Sequence, residues 1–415
     1  MKLKYGIFTI ASAALLTLGV TTSCSDDDLG ASIFDTVDHP LDRSSATFPL
    51  DAFCIENFRD PYNLRFLYKM EDIGSDMQKN LVPASYEKSK ELAVLVKYLW
   101  YEAYKTCVGD DFLKTYSPRI IHVIGSKNYN PVTGTIVQGE AEGGLKITLY
   151  GTNDLDVNDI DQLNENFFKT MHHEFGHILA QNYTYPTSFS TISQGLYNPL
   201  DWQETPDSIA VTQGFVSPYG MSQIREDWVE VLANYVVKDS ITWENLLNSA
   251  TYDWEEAEIS KSYYLRCVQT GANLDSVGYY LSDGTPSTTG AVSEVNVVRK
   301  LISRDADGNP LLDENGNMTY LNTDGVDGRA IILQKLDLVR TWLKDNFNVD
   351  IDQLRMEVQS REWVTDENGE FIIENGRFVN KLTAPYVDEN GNKYDTLMDA
   401  LLQGIDKFEA DMIKE

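Results

Sequence analysis

Residues 172–177, with the sequence His-His-Glu-Phe-Gly-His, are the most informative stretch of this chain and hold three of its five histidines. Residues i and i+4 of a helix lie on one face, so His173 and His177 can direct two imidazoles at one metal ion. Glu174 lies one residue further round the helix, where its carboxylate can reach a water molecule on that metal. His172 has no histidine at i+4, and we therefore exclude it from the pair.

The flanking sequence favours a catalytic helix over a solvated helical face, a structural metal clip or a degenerate, inactive site. His173 and His177 lie roughly opposite Phe175, on the face that the apolar residues leave free. Asp159 or Asp161 is placed to cap the helix. The apolar residues recur at helical spacing and predict a wide buried stripe: Phe167, Phe168, Met171, Phe175, Ile178 and Leu179.

The first 23 residues have the pattern of a bacterial signal peptide. Lys2 and Lys4 provide the positive start, and residues 7–20 form an apolar stretch too short to span a membrane comfortably. The Thr-Thr-Ser-Cys sequence at 21–24 resembles the lipobox of lipoproteins, although threonine replaces the usual leucine at its first position. The resemblance implies that Cys24 is lipidated and becomes the mature N-terminus. An ordinary secretory cleavage site is the alternative.

An acidic segment follows the lipobox cysteine. The Ser-Asp-Asp-Asp sequence there resembles the surface-export signal of lipoproteins in Gram-negative bacteria with surface nutrient systems, with a solvated tether as the alternative. We therefore expect an outer-membrane lipoprotein exposed on the cell surface. The predicted segments are a signal peptide (1–23), an acidic flexible tether (24–47), a zincin-like catalytic core (48–275) and a helical extension with hairpin insertions packed on that core (276–415).

Charge and cysteine usage exclude other classes of protein. The formal net charge of −30 argues against nucleic acid as a partner, because phosphate binding needs clustered Lys and Arg. Beyond the lipobox only Cys54, Cys107 and Cys267 remain, which are too few for a disulfide framework and lack C-x-x-C spacing. The sequence leaves open whether Cys54 and Cys107 form a bridge or are buried apolar thiols.

Strands are predicted ahead of the metal helix. Residues 62–70 and 119–124 have strand patterns, and His122 in the second is expected to be packed rather than a ligand. Residues 134–150 are predicted to form two strands joined by 140–144. Strands followed by the metal helix are expected of a zincin upper lobe, where an edge strand commonly aligns an extended substrate by backbone pairing.

Residues 183–221 are rich in Pro, Ser, Thr and Gly, and we expect a long loop that walls the active-site cleft. Asn-Gly pairs at 313–316, 366–369, 375–376 and 388–391 predict hairpin turns. Helical periodicity is found over 85–107, 222–237, 243–247, 254–269, 329–347 and 396–414.

A catalytic zinc needs a third protein ligand and one open position. No histidine follows His177, so the ligand must be a downstream carboxylate. The helix over 222–237 offers Glu226, Asp227 and Glu230, and Glu226 and Glu230 share a face at i and i+4. One of these two can bind zinc while the other orients a ligand histidine through its free N–H.

This combination resembles the gluzincin arrangement of lethal-factor-like metallopeptidases. The resemblance implies that Glu226 is the third zinc ligand and that Glu230 supports the site, with Asp227 an alternative for either role. It also implies that Tyr219, seven residues before the ligand glutamate, points into the cleft. A phenol there can stabilise an oxyanion, although a loop aromatic that seals the core is the alternative.

With its lipoprotein start, the chain also resembles the zinc metallohydrolase lipoproteins associated with substrate import. That resemblance covers roughly residues 60–275. It implies an α+β zincin-like metalloprotease fold, with a small mixed sheet and the active-site helix in an upper lobe above a mainly helical lower lobe. It also implies a starch-utilisation-type TonB-dependent transporter and its binding lipoprotein as partners.

The function expected is a surface zinc endopeptidase that cleaves extracellular protein or glycoprotein, with Glu174 as general base. A non-catalytic lipoprotein that captures peptides for a transporter is the rival, and a structural zinc clip is a third possibility. An intact Glu174 favours the enzyme, because capture alone needs no general base.

Overall fold

Residues Ser44–Glu415 form one compact unit. The predicted signal peptide, Cys24 and nearly all of the acidic tether lie outside the described residues. No helix among the described residues is long and apolar enough to cross a membrane. The structure is a computed structural model that describes residues 41–70, 81–129, 136–137, 139–142, 145–251, 263–265, 279–281, 309, 311–316, 327–374 and 377–413.

Helices make up most of the described chain, and several begin at a side-chain cap. Ser85, Asp159, Asp327 and Thr396 each accept a hydrogen bond from a backbone N–H of the first turn. The helices are α1 Phe48–Cys54, α2 Asp60–Tyr62, α3 Tyr86–Leu95, α4 Glu102–Val108, α5 Asp110–Tyr116, α6 Ile160–Leu163, α7 Lys169–Asn182, α8 Phe189–Ile192, α9 Asp207–Thr212, α10 Ile224–Val237, α11 Ser240–Thr251, α12 Gly328–Phe347, α13 Ile351–Glu362 and α14 Leu397–Asp406. Single turns of π-helix occupy Ile55–Arg59, Val96–Tyr101 and Asn164–Phe168, and 3-10 turns occupy Thr152–Asp154, Trp202–Glu204, Pro218–Met221 and Lys407–Asp411.

The largest described sheet is small and mixed, as predicted. Its strands are, in order across the sheet, β1 (Arg65–Leu67), β2 (Ile120–Val123), β6 (Lys146–Leu149) and β5 (Gly139–Glu142). Strand β2 pairs in parallel with both β1 and β6, and β5 runs antiparallel to β6 at one edge. Helix α7 packs against β5 and β6, so the edge strand lies beside the metal helix. The strands are β1 Arg65–Leu67, β2 Ile120–Val123, β3 Asn128–Tyr129, β4 Ile136–Val137, β5 Gly139–Glu142, β6 Lys146–Leu149, β7 Tyr263–Leu265, β8 Tyr279–Leu281, β9 Ile373–Glu374, β10 Arg377–Phe378, β11 Tyr386–Val387 and β12 Lys393–Tyr394.

The metal helix continues from α6 through the π-turn Asn164–Phe168 into α7. Asp159 caps it, with its carboxylate accepting from the Gln162 N–H at 3.0 Å. A π-turn holds one more residue than an α-turn, so it changes the direction in which the following side chains point. The predicted apolar stripe is buried. The histidine face was predicted to be free of packing, but α10 packs against it and His173 is only 6% exposed.

The C-terminal helices α12 and α13 pack on α10 and close the core behind the metal helix. Trp342 of α12 meets Trp228 of α10 edge to face, with ring centroids 5.3 Å apart. The predicted turn at 366–369 lies within a hairpin closed by the bridge Thr365↔Phe371, and the turn at 388–391 joins β11 to β12. These two hairpin predictions are confirmed.

Several predicted elements differ from those observed. The first strand begins only at Arg65, because Pro61 lies in a helical turn that ends at Asn63 in the left-handed conformation. The pairing of β5 with β6 continues to Glu142↔Lys146, so 140–142 belongs to a strand rather than to a connection. The segment 183–221 is a series of short helical turns rather than a loop, held by the buried residues Phe189, Ala210, Phe215 and Met221.

Other differences lie outside the metal helix. Strand β7 occupies part of the helix predicted over 254–269, whose other residues lie outside the described ones. Helices α1 and α13 were not predicted. Cys54 is buried and Cys107 half-buried, and both thiols are free, so of the two alternatives left open by the sequence the structure has free thiols rather than a bridge. His122 is buried in β2, as predicted.

Candidate metal centre

Helices α7 and α10 approach each other closely at Gly176. A Cβ atom at this position would lie 2.8 Å from the Val229 Cγ1 atom, closer than side chains tolerate. Glycine in the H-E-x-x-H sequence therefore allows α10 to lie directly against the histidine face. The two helices bring His173 and His177 from α7 beside Glu226 from α10.

His173, His177 and Glu226 form one group of potential ligands whose donor atoms all lie within 4.8 Å of one another. The Glu226 Oε2 atom lies 3.1 Å from His173 Nε2 and 3.0 Å from His177 Nε2. Two ligand atoms, each about 2 Å from a tetrahedral zinc ion, are roughly 3.3 Å apart, so these separations fit that metal. Two imidazoles and one carboxylate are also a donor set that catalytic zinc uses.

The group has three members, and no fourth His, Cys, Asp or Glu of the described chain joins it. A structural zinc site is normally closed by four protein ligands, whereas a catalytic site keeps one position for water or substrate. The donor set therefore matches a catalytic zinc site, in which one coordination position is left for water or substrate.

Glu230 lies behind His173, on the side away from Glu226. His173 Nδ1 contacts Glu230 Oε1 at 2.8 Å and Nε2 faces Glu226, so with the Nδ1 proton held by Glu230, Nε2 is the nitrogen that a metal ion would bind in exchange for a proton. The other Glu230 oxygen accepts from Ser217 Oγ at 2.5 Å and from Asn234 Nδ2 at 3.2 Å. Glu230 is thus held by three donors and holds His173 in one orientation.

His173 and the two glutamates stabilise each other's charged forms. Burial lowers the pKa of His173, but its hydrogen bonds to Glu226 and Glu230 outweigh burial and raise that pKa to about 10. Burial raises the pKa of Glu226 and of Glu230, but other contacts outweigh burial and hold both pKa values low, about 2 for Glu230. For Glu226 these are the hydrogen bonds with His173 and His177, and for Glu230 the hydrogen bond with His173 and the charge of Lys169. Both glutamates are therefore carboxylates in the folded chain.

Glu174 lies beside the donor set without belonging to it, and it is only 8% exposed. Burial raises the pKa of its carboxyl, against the lowering effect of His173 and His177. A carboxyl with a raised pKa, next to an open metal position, suits a group that accepts and returns a proton.

Tyr219 lies at the mouth of the site, in the 3-10 turn Pro218–Met221, and is 37% exposed. Its ring stacks on His173 with centroids 5.7 Å apart, and Trp202 packs edge-on against its other side at 5.0 Å. Burial and the charge of Glu226 raise the pKa of the phenol, which keeps it a proton donor. The structure therefore places Tyr219 beside His173, one of the three potential ligands.

His172 and Asp227 lie away from the donor set. The Tyr104 hydroxyl contacts His172 Nδ1 at 3.0 Å, within an aromatic cluster on the other side of α7. Asp227 contacts none of the three ligands; its Oδ2 lies 2.7 Å from Lys335 Nζ and accepts from the Tyr197 hydroxyl at 2.8 Å. The alternative role of Asp227 in the site therefore has no geometric support, since its carboxylate is directed at Lys335 and Tyr197 instead.

Sequence reasoning missed several residues that contact the glutamates or Asp227, among them Asn234, Lys335 and Ser217. Arg225, whose Nε lies 3.0 Å from Glu226 Oε1, was missed as well. Asn234 lies at i+4 from Glu230, a spacing that could have identified it. Lys335 lies at i+3 from Ile332 and i−4 from Val339, which places a charge on the buried face of α12. Ser217 carries no comparable signal, because it reaches Glu230 only through the path of the 183–221 segment.

Comparison with known proteins agrees with this centre. Residues 44–352 match the model of a family described as "Putative zinc-binding metallo-peptidase". A search of curated proteins finds no match. Among solved structures, the chain is similar to a crystal structure described as a "putative zinc-binding metallo-peptidase" from Bacteroides caccae, with 31% identity and a TM-score of 0.52 over 76% of this chain and 93% of that chain. The chain belongs to this family of zinc-binding metallopeptidases.

Proposed function

We propose that the protein is a zinc endopeptidase that hydrolyses peptide bonds of extracellular protein or glycoprotein. The observation that carries the proposal is a buried carboxylate, Glu174, beside a donor set of His173, His177 and Glu226 that no fourth described ligand closes. Capture of peptides without turnover needs neither the open position nor the base.

His173, His177 and Glu226 would hold a zinc ion, which would supply a Lewis acid able to lower the pKa of water to about 7 and to polarise a peptide carbonyl. Glu174 accepts the proton of the attacking water and later delivers it to the leaving amine. Glu230 keeps His173 in the tautomer whose Nε2 is free. The Tyr219 hydroxyl donates to the oxygen that becomes negative as the carbonyl is attacked.

An extended peptide is the substrate shape that suits this site. Strand β5 pairs only with β6 among the described residues, so its other edge offers backbone groups beside α7. A peptide added to that edge would pass the metal helix in an extended conformation. We expect the turns of 183–221, in which Trp202 packs on Tyr219, to form a wall of the cleft.

The cellular setting belongs to the same proposal. The lipobox at 21–24 and the acidic residues after it support a lipoprotein of the outer membrane that is exposed at the cell surface. A starch-utilisation-type TonB-dependent transporter and its binding lipoprotein are the proposed partners. The rival hypothesis remains a non-catalytic binding lipoprotein that serves the same transporter.

Glu174→Gln tests the proposal, because it removes the base while leaving the three ligands in place. We expect stoichiometric zinc in the wild type and in the variant, with kcat for casein cleavage about 10²- to 10⁴-fold lower in the variant. The matched control is Glu165→Gln, an exposed glutamate on the same continuous helix that pairs with Lys169.

We expect Glu165→Gln to cleave casein as fast as the wild type. The proposal is overturned if the wild type purifies without zinc, or if Glu174→Gln cleaves casein as fast as wild type. Peptide binding by the wild type without any product after long incubation would support the capture rival instead.

A further inference from the structure

Lys335 is a buried cation in the centre of the core, on a helix that contributes no ligand to the metal site. Its side chain is completely buried on α12. The ammonium group lies 2.7 Å from Asp227 Oδ2 and donates to the Gly214 carbonyl at 2.8 Å. It also lies 3.9 Å from the centroid of the Phe215 ring. An ammonium group this deep needs such partners, because an unpaired buried charge is very costly.

The partners of Lys335 belong to the two segments that build the metal site. Asp227 follows the proposed ligand Glu226 directly in the first turn of α10. Gly214 and Phe215 precede Ser217, which bonds Glu230, and Tyr219, which stacks on His173. One cation therefore contacts both the helix that carries the third ligand and the segment that carries the supporting hydroxyls.

The position of the Gly214 carbonyl, which accepts from Lys335, is also fixed by the packing of Gly214 against α12. Gly214 has a φ of +87°, and a Cβ atom there would lie 2.3 Å from Ile331 Cγ2, one turn before Lys335 on α12. The turn at Gly214 therefore lies directly on α12 and presents its carbonyl to the ammonium. The Tyr197 hydroxyl, from the same segment, donates to the Asp227 oxygen that Lys335 also contacts.

We propose that Lys335 is a positioning residue for the metal centre, which fixes the first turn of α10 and the 214–219 segment relative to each other. Through Asp227 it sets the position of Glu226, and through Gly214 it sets the positions of Ser217 and Tyr219. The inference rests on the proposed metal site. It adds that a residue of the C-terminal third, far in sequence from every ligand, controls how well the site binds zinc.

The test is the zinc dissociation constant of the whole protein, measured by competition with a chromophoric chelator well below the melting temperature. Lys335→Met removes the cation and keeps most of the volume of the side chain. We expect it to bind zinc about 10- to 100-fold more weakly than wild type, the loss typical of residues that orient metal ligands. The control is Leu343→Ala, which leaves a cavity two turns further along α12, at a residue that is 2% exposed.

Leu343→Ala should melt at a lower temperature yet bind zinc within about twofold of wild type. If Lys335→Met fails to fold, Tyr197→Phe decides, because it removes only the hydroxyl that bonds Asp227. A loss of about 3- to 10-fold in zinc affinity then supports the inference.

The inference is overturned if folded Lys335→Met binds zinc as tightly as wild type, or if Leu343→Ala loses as much zinc affinity as Lys335→Met. If Lys335→Met does not fold, wild-type zinc affinity in Tyr197→Phe overturns it. A wild-type protein that binds no zinc would instead overturn the proposed function, so the two failures are distinguishable.

Discussion

The Nδ1 atom of His173 lies 2.8 Å from the Oε1 atom of Glu230, one full turn along α10 from Glu226. Glu226 and Glu230 thus face the same imidazole from its two nitrogens. This arrangement sets which nitrogen is free for a metal, and it does so with a carboxylate that Ser217 and Asn234 hold in place.

Glu230→Gln should weaken zinc binding about 10- to 100-fold, because a neutral amide orients His173 less firmly and makes it a poorer ligand. Isothermal titration of the metal-free protein with zinc measures the effect. Glu244→Gln, which removes a carboxylate of α11 that pairs with Arg329 of α12, should bind zinc as wild type does. Equal affinities for wild type and Glu230→Gln would show that the hydrogen bond does not support the ligand.

Tyr219→Phe should lower kcat about 10²- to 10³-fold and leave KM and zinc content nearly unchanged, because the hydroxyl acts only on developing negative charge. Steady-state kinetics on a fluorogenic peptide separates kcat from KM. Tyr183→Phe is the matched control, since that tyrosine is also partly exposed but packs on Phe347. A wild-type kcat for Tyr219→Phe would contradict the catalytic role of the hydroxyl and would show that the ring only lines the cleft.

Gly176→Ala should destabilise the fold by about 1–3 kcal/mol and weaken zinc binding, because the new methyl group forces α7 and α10 apart. The better helix propensity of alanine, about 1 kcal/mol, opposes this loss without cancelling it. Val229→Ala in the same chain removes the methyl that clashes and should restore zinc affinity to Gly176→Ala. Zinc titration and urea unfolding of the single and double variants check both effects, and a single variant that binds zinc normally would contradict the close approach.

Glu362→Gln should stabilise the protein at pH 8 by about 1–3 kcal/mol and have a smaller effect at pH 4. Glu362 is 1% exposed, and neither carboxyl oxygen has a well-formed hydrogen bond to any described group, so burial raises its pKa well above 4.5. The folded chain therefore favours the protonated acid. The stability associated with it is full below about pH 4.5 and is lost as pH rises through the folded-state pKa.

Urea unfolding at the two pH values measures this difference. Glu357→Gln, a carboxylate on the same helix that pairs with Arg361, should not gain stability at pH 8. A Glu362→Gln variant that gains the same stability at pH 4 and pH 8 would argue against a raised pKa.

The sequence predicted the parts of the fold that depend on local pattern. The helical period from Ile224 to Val237 placed Glu226 and Glu230 on one face, and the Asn-Gly turns placed the C-terminal hairpins. The resemblance to known zinc peptidases supplied the mixed sheet and the family, which the comparisons confirm.

The parts that were missed depend on tertiary packing. The 183–221 segment has a turn-rich composition, yet burial of Phe189 and Phe215 organises it into short helices. Lys335 was visible as a charge on an apolar face, but only the folded chain brings Asp227 and Gly214 to it. Ser217 has no local pattern at all, because its partner Glu230 depends on how the segment returns to α10.

The π-turn at Asn164–Phe168 makes the chemistry of the metal helix depend on the length of the chain before it. Each residue of an α-helix advances the direction of a side chain by about 100°. Deletion of one residue from this turn would leave every letter of residues 172–177 intact and yet rotate both histidines away from Glu226. A relative that keeps the motif but has lost one residue upstream would therefore retain the H-E-x-x-H sequence and lose the metal site.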